Sequence, residues 1–180
     1  MIALALAALV AARAHAAEPL RFRIQPEASE ITFRATSRLM NAEGRFARFS
    51  GDVVADPAAP TGARISLTID AASIDTGIEM RDNHLRSSDF LEVDRFPTVT
   101  FQSVRVEAAG RRATVVGRLT LHGVTREIAV PIDVQITSSA LVASGEFIVN
   151  RGEYAMNYNS FLNPIGNEVR VAFTFRARVP

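Results

Sequence analysis

The sequence predicts an all-β, antiparallel fold with one short helix, and three observations lead there. From Leu20 onward apolar and polar residues alternate with period two; the alternating runs are separated by turn signals and most have no ten-residue helical crossover between them; and the alternation lapses at residues 78–89. A strand points successive side chains to opposite faces, so each such run has one apolar and one wet face.

Taken in order, the first run is residues 20–25, closed by a turn signal at 26–29 that contains Pro26. Residues 30–39 place Ile31, Phe33 and Ala35 on one face, and residues 45–55 follow. The Pro- and Gly-bearing stretch 56–62 predicts a turn, and residues 63–70 resume the alternation with Ile65, Leu67 and Ile69. In residues 78–89, Met80 and Leu85 among polar neighbours suit one or two helical turns. Strands then follow at 98–106 and at 113–121, the latter with Val115, Leu119 and Leu121, with turns at 108–111 and at His122-Gly123. The cleanest alternation is Ile128, Val130, Ile132, Val134 and Ile136, interleaved with polar residues that include Asp133 and Gln135. Residues 141–150 carry Phe147 and Val149. After a turn at Asn163-Pro164-Ile165-Gly166, the last run sets Val169, Val171, Phe173, Phe175, Ala177 and Val179 against Arg170, Thr174, Arg176 and Arg178. That makes about nine strands. Antiparallel strands with one apolar face each either stack as two sheets or close into a barrel, and periodicity alone fits both.

Composition narrows the function classes. The 20 basic residues are all arginine and face 19 acidic ones, so there is no global field to draw in nucleic acid or an anionic membrane. With no cysteine, the fold rests on a hydrophobic core and not on disulfides. The N-terminal stretch is almost all Ala, Leu, Ile and Val, and Ala14-His15-Ala16 follows as a small-x-small cleavage pattern. Residues 1–16 are therefore expected to be a secretory signal peptide, although no Lys or Arg precedes the apolar run, and residues 17–180 one domain exported to the periplasm. Arg13 interrupts the apolar run too early for a membrane span, so no stable membrane insertion is expected.

Chemistry-bearing constellations are sparse. There is no Gly-x-Ser-x-Gly, no thiol nucleophile, and no His-Glu-x-x-His or paired-His metal spacing, so no catalytic residue, metal or cofactor is expected. Asp82, His84 and a neighbouring serine sit too close in sequence for an ordinary triad. The segment Arg81–Arg86 admits two roles that are compatible. Arg81 and Asp82 pair with each other or with carbonyls at the sheet end and hold the helix across an opening; or Arg81, His84 and Arg86 face a mouth and meet the polar head of a ligand. The chain has 11 Phe, two Tyr and no Trp, and most of the Phe fall in strands. In a closed barrel those rings either fill the lumen or line it. Strands of about ten residues tilted near 40° would enclose a narrow tunnel about 25 Å tall, which suits a long chain and supplies up to about 0.8 kcal/mol per buried CH₂.

Several motifs go further. Ser73-Ile74-Asp75-Thr76-Gly77, Arg81-Asp82-x-His84-Leu85-Arg86-Ser87-x-Asp89-Phe90, Phe96-Pro97-x-x-x-Phe101-x-Ser103 and Gly117-x-Leu119-Thr120-Leu121-His122-Gly123-Val124-Thr125-Arg126 resemble the YceI family. So do Asn150-Arg151-x-x-Tyr154-x-Met156 and Gly166-Asn167-Glu168-Val169. The chain departs from the family pattern at Glu27-Ala28-Ser29, where Asp-x-x-His-Ser is usual, and at Leu91, where a second Phe commonly follows Phe90. The resemblance implies a lipocalin-like antiparallel β-barrel of about eight strands, exported to the periplasm, whose elongated apolar cavity holds an isoprenoid or similar lipid such as a prenyl diphosphate or a quinone. The expected lining is Phe33, Ile65, Leu67, Ile69, Phe101, Leu119, Leu121, Phe147, Phe173 and Phe175, with Arg81, His84 and Arg86 at the mouth. A ligand-free interaction module with a dry core, and a small secreted enzyme working through His84 and Asp82, stand as alternatives. Monomer and homodimer are both open.

Overall fold

The structure, a computed structural model, describes residues 18–39 and 41–180; the expected signal segment at residues 1–16 lies outside them. Eleven strands form one antiparallel sheet: β1 (Leu20–Ile24), β2 (Glu30–Ser37), β3 (Ala42–Phe46), β4 (Phe49–Asp56), β5 (Ala59–Asp70), β6 (Ile74–Asp75), β7 (Thr98–Ala109), β8 (Arg112–Leu121), β9 (Val124–Ile136), β10 (Ala140–Asn150) and β11 (Ile165–Arg178). Among the described residues one α-helix, α1 (Glu79–Arg86), lies between β6 and β7, inside the expected span 78–89. The ring β1-β4-β5-β7-β8-β9-β10-β11 closes through pairing of Arg23 with Arg178 and Ile24 with Ala177. The sheet is thus a barrel of eight strands and not a sandwich. The row β2, β3, β6 branches off β11 and builds one end of the wall.

That branch has a cause visible in the sequence. The inward residues of β1 are Phe22 and Ile24, whereas those of β2 are Ile31, Phe33 and Ala35; the phase has moved from even to odd. It moves again from Phe46 in β3 to Phe49, Val53 and Ala55 in β4, and from Ile65, Leu67 and Ile69 in β5 to Ile74 in β6. A strand of period two carries a phase change only through a bulge or a break: β7 shifts from Val99 and Phe101 to Val106 and Ala108 through a bulge between Ser103 and Arg105, whereas these three runs are interrupted. A 3₁₀ turn at Pro26–Ala28 separates β1 from β2, and another at Ala71–Ser73 separates β5 from β6. The single run expected at 45–55 therefore divides at Ala47 and Arg48. That break meets the 71–73 turn through Ala47 N–H to Ser73 O (3.0 Å), Arg48 N–H to Ser73 Oγ (3.0 Å) and Asp70 N–H to Arg48 O (3.0 Å).

The turn expected over 56–62 is shorter than its composition suggests. Asp56 Oδ1 accepts the Ala58 amide at 2.8 Å, an Asx turn, and β5 begins at Ala59 despite Pro60 and Gly62. His122 and Gly123 both adopt positive φ, as a two-residue hairpin turn requires.

Arginines on the outer face pair across strands: Arg34 with Glu43 (3.1 Å), Arg45 with Asp75 (3.1 Å) and Arg170 with Glu146. Inside, Gly117 and Gly145 let two rings lie against the wall. A Cβ at Gly117 would meet Phe101 Cζ at 2.3 Å, and one at Gly145 would meet Phe173 Cζ at 2.9 Å.

Candidate functional site

The barrel interior is a cavity of two lobes, of about 450 Å³ and about 230 Å³. The larger, upper lobe is walled by β2, β3 and β6 with α1 and the 151–165 connection; the lower by β1, β4 and β5 and by the turns that hold Pro57 and Gly110. Ile31, Ile69, Val99, Leu119, Phe147 and Val171 border both and form a waist. The waist is set by these six side chains, four of them on the unbroken strands β7, β8, β10 and β11, while the short strands β2, β3 and β6 wall only the upper part.

Of the residues expected to line a tunnel, Ile65, Leu67, Phe101, Phe173 and Phe175 are in the lower lobe and Phe33 and Leu121 in the upper. Ile69, Leu119 and Phe147 are at the waist. Phe173 and Phe175 stack with centroids 4.8 Å apart, and Phe33 packs on Phe46 at 5.9 Å. The interior is therefore neither sealed nor filled by its aromatic side chains.

Polar groups collect at the upper lobe. α1 has no side-chain cap at Ile78 and is fastened by its other residues. Asp82, 6 % exposed, accepts the Thr76 amide at 2.9 Å and also the Thr76 hydroxyl, while Arg81 donates from Nε to Thr76 Oγ1 (2.9 Å) and from Nη2 to Thr76 O (3.1 Å). Of the two pairings expected for Arg81 and Asp82, with each other or with carbonyls at the sheet end, Arg81 makes the second, and both residues converge on Thr76. Arg86 donates to Ala72 O (2.9 Å), Ile74 O (2.7 Å) and Asn83 Oδ1 (3.2 Å) and lines neither lobe. A guanidinium used on the carbonyls of the strand break is a fastener of the helix. Arg81 and His84 do border the upper lobe.

His84 Nε2 lies 2.9 Å from Asp89 Oδ2, and its ring stands edge-on to Phe90 and to Tyr158, each 5.0 Å away. The imagined triad is not assembled: Asp82 is turned to Thr76, and the Ser87 hydroxyl donates to the His84 backbone carbonyl at 2.7 Å. His122 is bound elsewhere, with Nδ1 2.9 Å from Tyr154 O and Nε2 3.4 Å from Glu92 Oε2. No cluster of three or more His, Cys, Asp or Glu suited to a metal ion occurs among the described residues.

Arg151 is the site residue that sequence reasoning left without a role. It lines the upper lobe, is 5 % exposed, and gives its guanidinium to four backbone carbonyls: Gly166 (3.1 Å), Met156 (2.6 Å), Tyr158 (2.7 Å) and Ile165 (3.1 Å). No carboxylate among the described residues forms an ion pair with it, and burial lowers its pKa from the ordinary arginine value. The available signal was one charge at the end of an apolar strand, inside the motif Asn150-Arg151-x-x-Tyr154.

Comparison with known proteins agrees with this geometry. The crystal structure of Burkholderia cenocepacia BcnA superposes with a TM-score of 0.79 at 24% identity, over 85% of this chain and 98% of that one. A structure described as a polyisoprenoid binding domain from Saccharophagus degradans gives 0.72 at 21% identity, over 89% and 99%. The Campylobacter jejuni YCEI protein gives 0.70 at 22% identity, over 78% and 86%. A UPF0312 protein of Pseudomonas aeruginosa is 44% identical over 87 residues, which are 48% of this chain and 46% of that protein. A UPF0312 protein of Shewanella baltica is 44% identical over 88 residues, with the same coverage. The chain spans about half the length of the curated relatives it matches. A model of the YceI-like domain matches residues 22–177, from the first barrel strand to the last, and the chain therefore belongs to that family.

Proposed function

We propose that this protein is a lipid carrier that holds an isoprenoid or similar long-chain lipid inside the barrel and acts in the periplasm. The observation that carries the reading is the two-lobed cavity, whose lower lobe is walled almost wholly by aliphatic and phenylalanine side chains and whose upper lobe adds polar groups to an apolar wall. A long narrow apolar space favours a flexible chain, at about 0.8 kcal/mol per buried CH₂ before the ordering cost is subtracted. The description of the Saccharophagus domain as polyisoprenoid-binding points the same way. In this reading the ten lining residues hold the tail, the waist divides it, and Arg81 and His84 meet a polar or anionic head in the upper lobe, with buried Arg151 behind them. Holding needs no bond to be made or broken, so the role is binding and not turnover.

The test is native mass spectrometry of the chain purified without detergent, followed by lipid extraction. A prenyl chain recovered at near-stoichiometric amount is expected. A ligand-free protein that also fails to take up added quinone or prenyl diphosphate would overturn the reading in favour of a packing or interaction module.

A further inference from the structure

The upper opening carries apolar side chains that no interior contact explains. Phe161 is 98% exposed and Leu162 78%, both in the connection between β10 and β11; Leu39, 73% exposed, is in the connection between β2 and β3. These two connections are tied together by Arg38 N–H to Pro164 O (3.2 Å) and Leu39 N–H to Asn163 Oδ1 (2.9 Å). Ser160 and Asn163 of the second connection, and Ser37 at the end of β2 where the first begins, border the upper lobe. The exposed residues therefore ring the entrance to the cavity. Met80, 81% exposed, adds to them from α1, next to Arg81, which borders the same lobe.

The charge pattern at this rim differs from the rest of the surface. Outer walls of the barrel pair arginine with acid across strands, as in Arg34 with Glu43. Residues 36–41 and 155–164, by contrast, hold no Asp or Glu and one basic residue, Arg38, with Asn, Ser, Thr36 and Tyr158 for the remaining polarity. At the other end, the turns at 57–58, 110–111 and 137–139 beside the lower lobe hold no large apolar residue, and Val179, bonded to Ser139 there, is only 37% exposed. Bulky apolar tips backed by uncharged polar side chains, with one cation and no anion within the two connections and the acid Glu79 beside Met80 on α1, match the chemistry of a phospholipid surface, where apolar groups enter the acyl boundary and arginine meets phosphate.

We infer that the protein docks on a phospholipid bilayer through Phe161, Leu162 and Leu39, so that the upper lobe opens against the membrane. The inference rests on the carrier reading in one respect: a cargo with almost no solubility in water has to pass between bilayer and cavity without crossing solvent, and an apolar rim around the entrance shortens that path. It also gives the tunnel a direction, with the entrance at the membrane and the lower lobe away from it.

The chain has no cysteine, so a single one can be introduced and labelled. Leu162→Cys and Ala58→Cys, each carrying a polarity-sensitive dye, are mixed with phosphatidylethanolamine–phosphatidylglycerol vesicles that contain no isoprenoid. A blue shift at position 162 and none at 58 is expected, and co-sedimentation of the unlabelled chain should fall about tenfold or more in Phe161→Ser/Leu39→Ser, with thermal stability unchanged because both side chains are exposed. Equal shifts at the two positions, no shift at either, or undiminished sedimentation of the double variant overturns the inference. A shift that follows protein concentration without vesicles overturns it too, by naming a second copy as the occupant. Because these vesicles hold no cargo, failure to dock leaves the lipid-extraction result standing, and docking by a protein with no extractable lipid would sink the carrier reading alone.

Discussion

Tyr154 shows how one residue serves the scaffold at a cost. It is almost wholly buried; its backbone carbonyl is 2.9 Å from His122 Nδ1, and its hydroxyl has no protein hydrogen-bond partner. Burial, the largest influence, raises its pKa above the usual phenol value of 10.0. Above pH about 10 an unfolded chain releases that proton while the folded one still holds it, so this contribution to stability is complete below pH about 10 and is lost as pH rises through the folded value. Tyr154→Phe should therefore unfold less readily at alkaline pH than the parent. At neutral pH it should change stability by no more than about 1 kcal/mol, in the stabilising direction. Denaturant titrations at pH 7 and above pH 10 check both points, and a variant clearly weaker at pH 7 would show that the hydroxyl does have a partner. His84 illustrates the opposite case, a residue whose surroundings no spacing rule foretold: its partner is Asp89, five residues on, and its two aromatic neighbours come from separate elements.

Among the elements, the 151–165 connection depends on one side chain. Its carbonyls at Met156, Tyr158 and Ile165 all accept from Arg151, which ties the segment to the end of β10. Arg151→Met should destabilise the fold by about 3 kcal/mol or more, because the carbonyls lose their donor in a buried setting. Arg151→Lys should recover little of that, since an ammonium lacks the planar fork that serves several acceptors at once. Thermal melts of the two variants test the claim, and a lysine variant close to the parent would contradict it. Helix α1 follows a similar rule, fastened by Asp82, Arg81 and Arg86 to Thr76 and to the strand break at Ala71–Ser73. Its position was legible because alternation stops there. Which of its arginines fasten and which face the cavity was not, because a helix only eight residues long presents all its faces within about two turns.

For the whole molecule, the proposed carrier function depends on the volume below the waist. Ala143 is buried and borders the lower lobe, opposite Val134 on β9 and Phe175 on β11. Ala143→Phe would take up much of that lobe's about 230 Å³ while leaving the upper lobe and the rim intact. Lipid extracted from this variant should shift towards shorter chains, with affinity for short-chain quinones retained; an unchanged chain-length profile in the extract would mean that the lower lobe does not hold the tail.

What the sequence determined by itself was the class of fold and the antiparallel order, with a minority of the side chains that face the interior. Period-two alternation specifies which side chains share a face, and that information is local. Phase changes were also present, in the shifts from Phe22 and Ile24 to Ile31 and Phe33, from Phe46 to Phe49, from Ile69 to Ile74, and within β7 from Phe101 to Val106, but which of them would break a strand and which would be absorbed by a bulge was not. Periodicity left closure open and only the resemblance of the motifs pointed to a barrel; the tertiary structure decided that the interior has two lobes meeting at a waist, and that Arg151 and the exposed rim gather at one end. Closure and volume depend on how strands distant in sequence register, as Ile24 does with Ala177, and no local pattern encodes the space that remains between them.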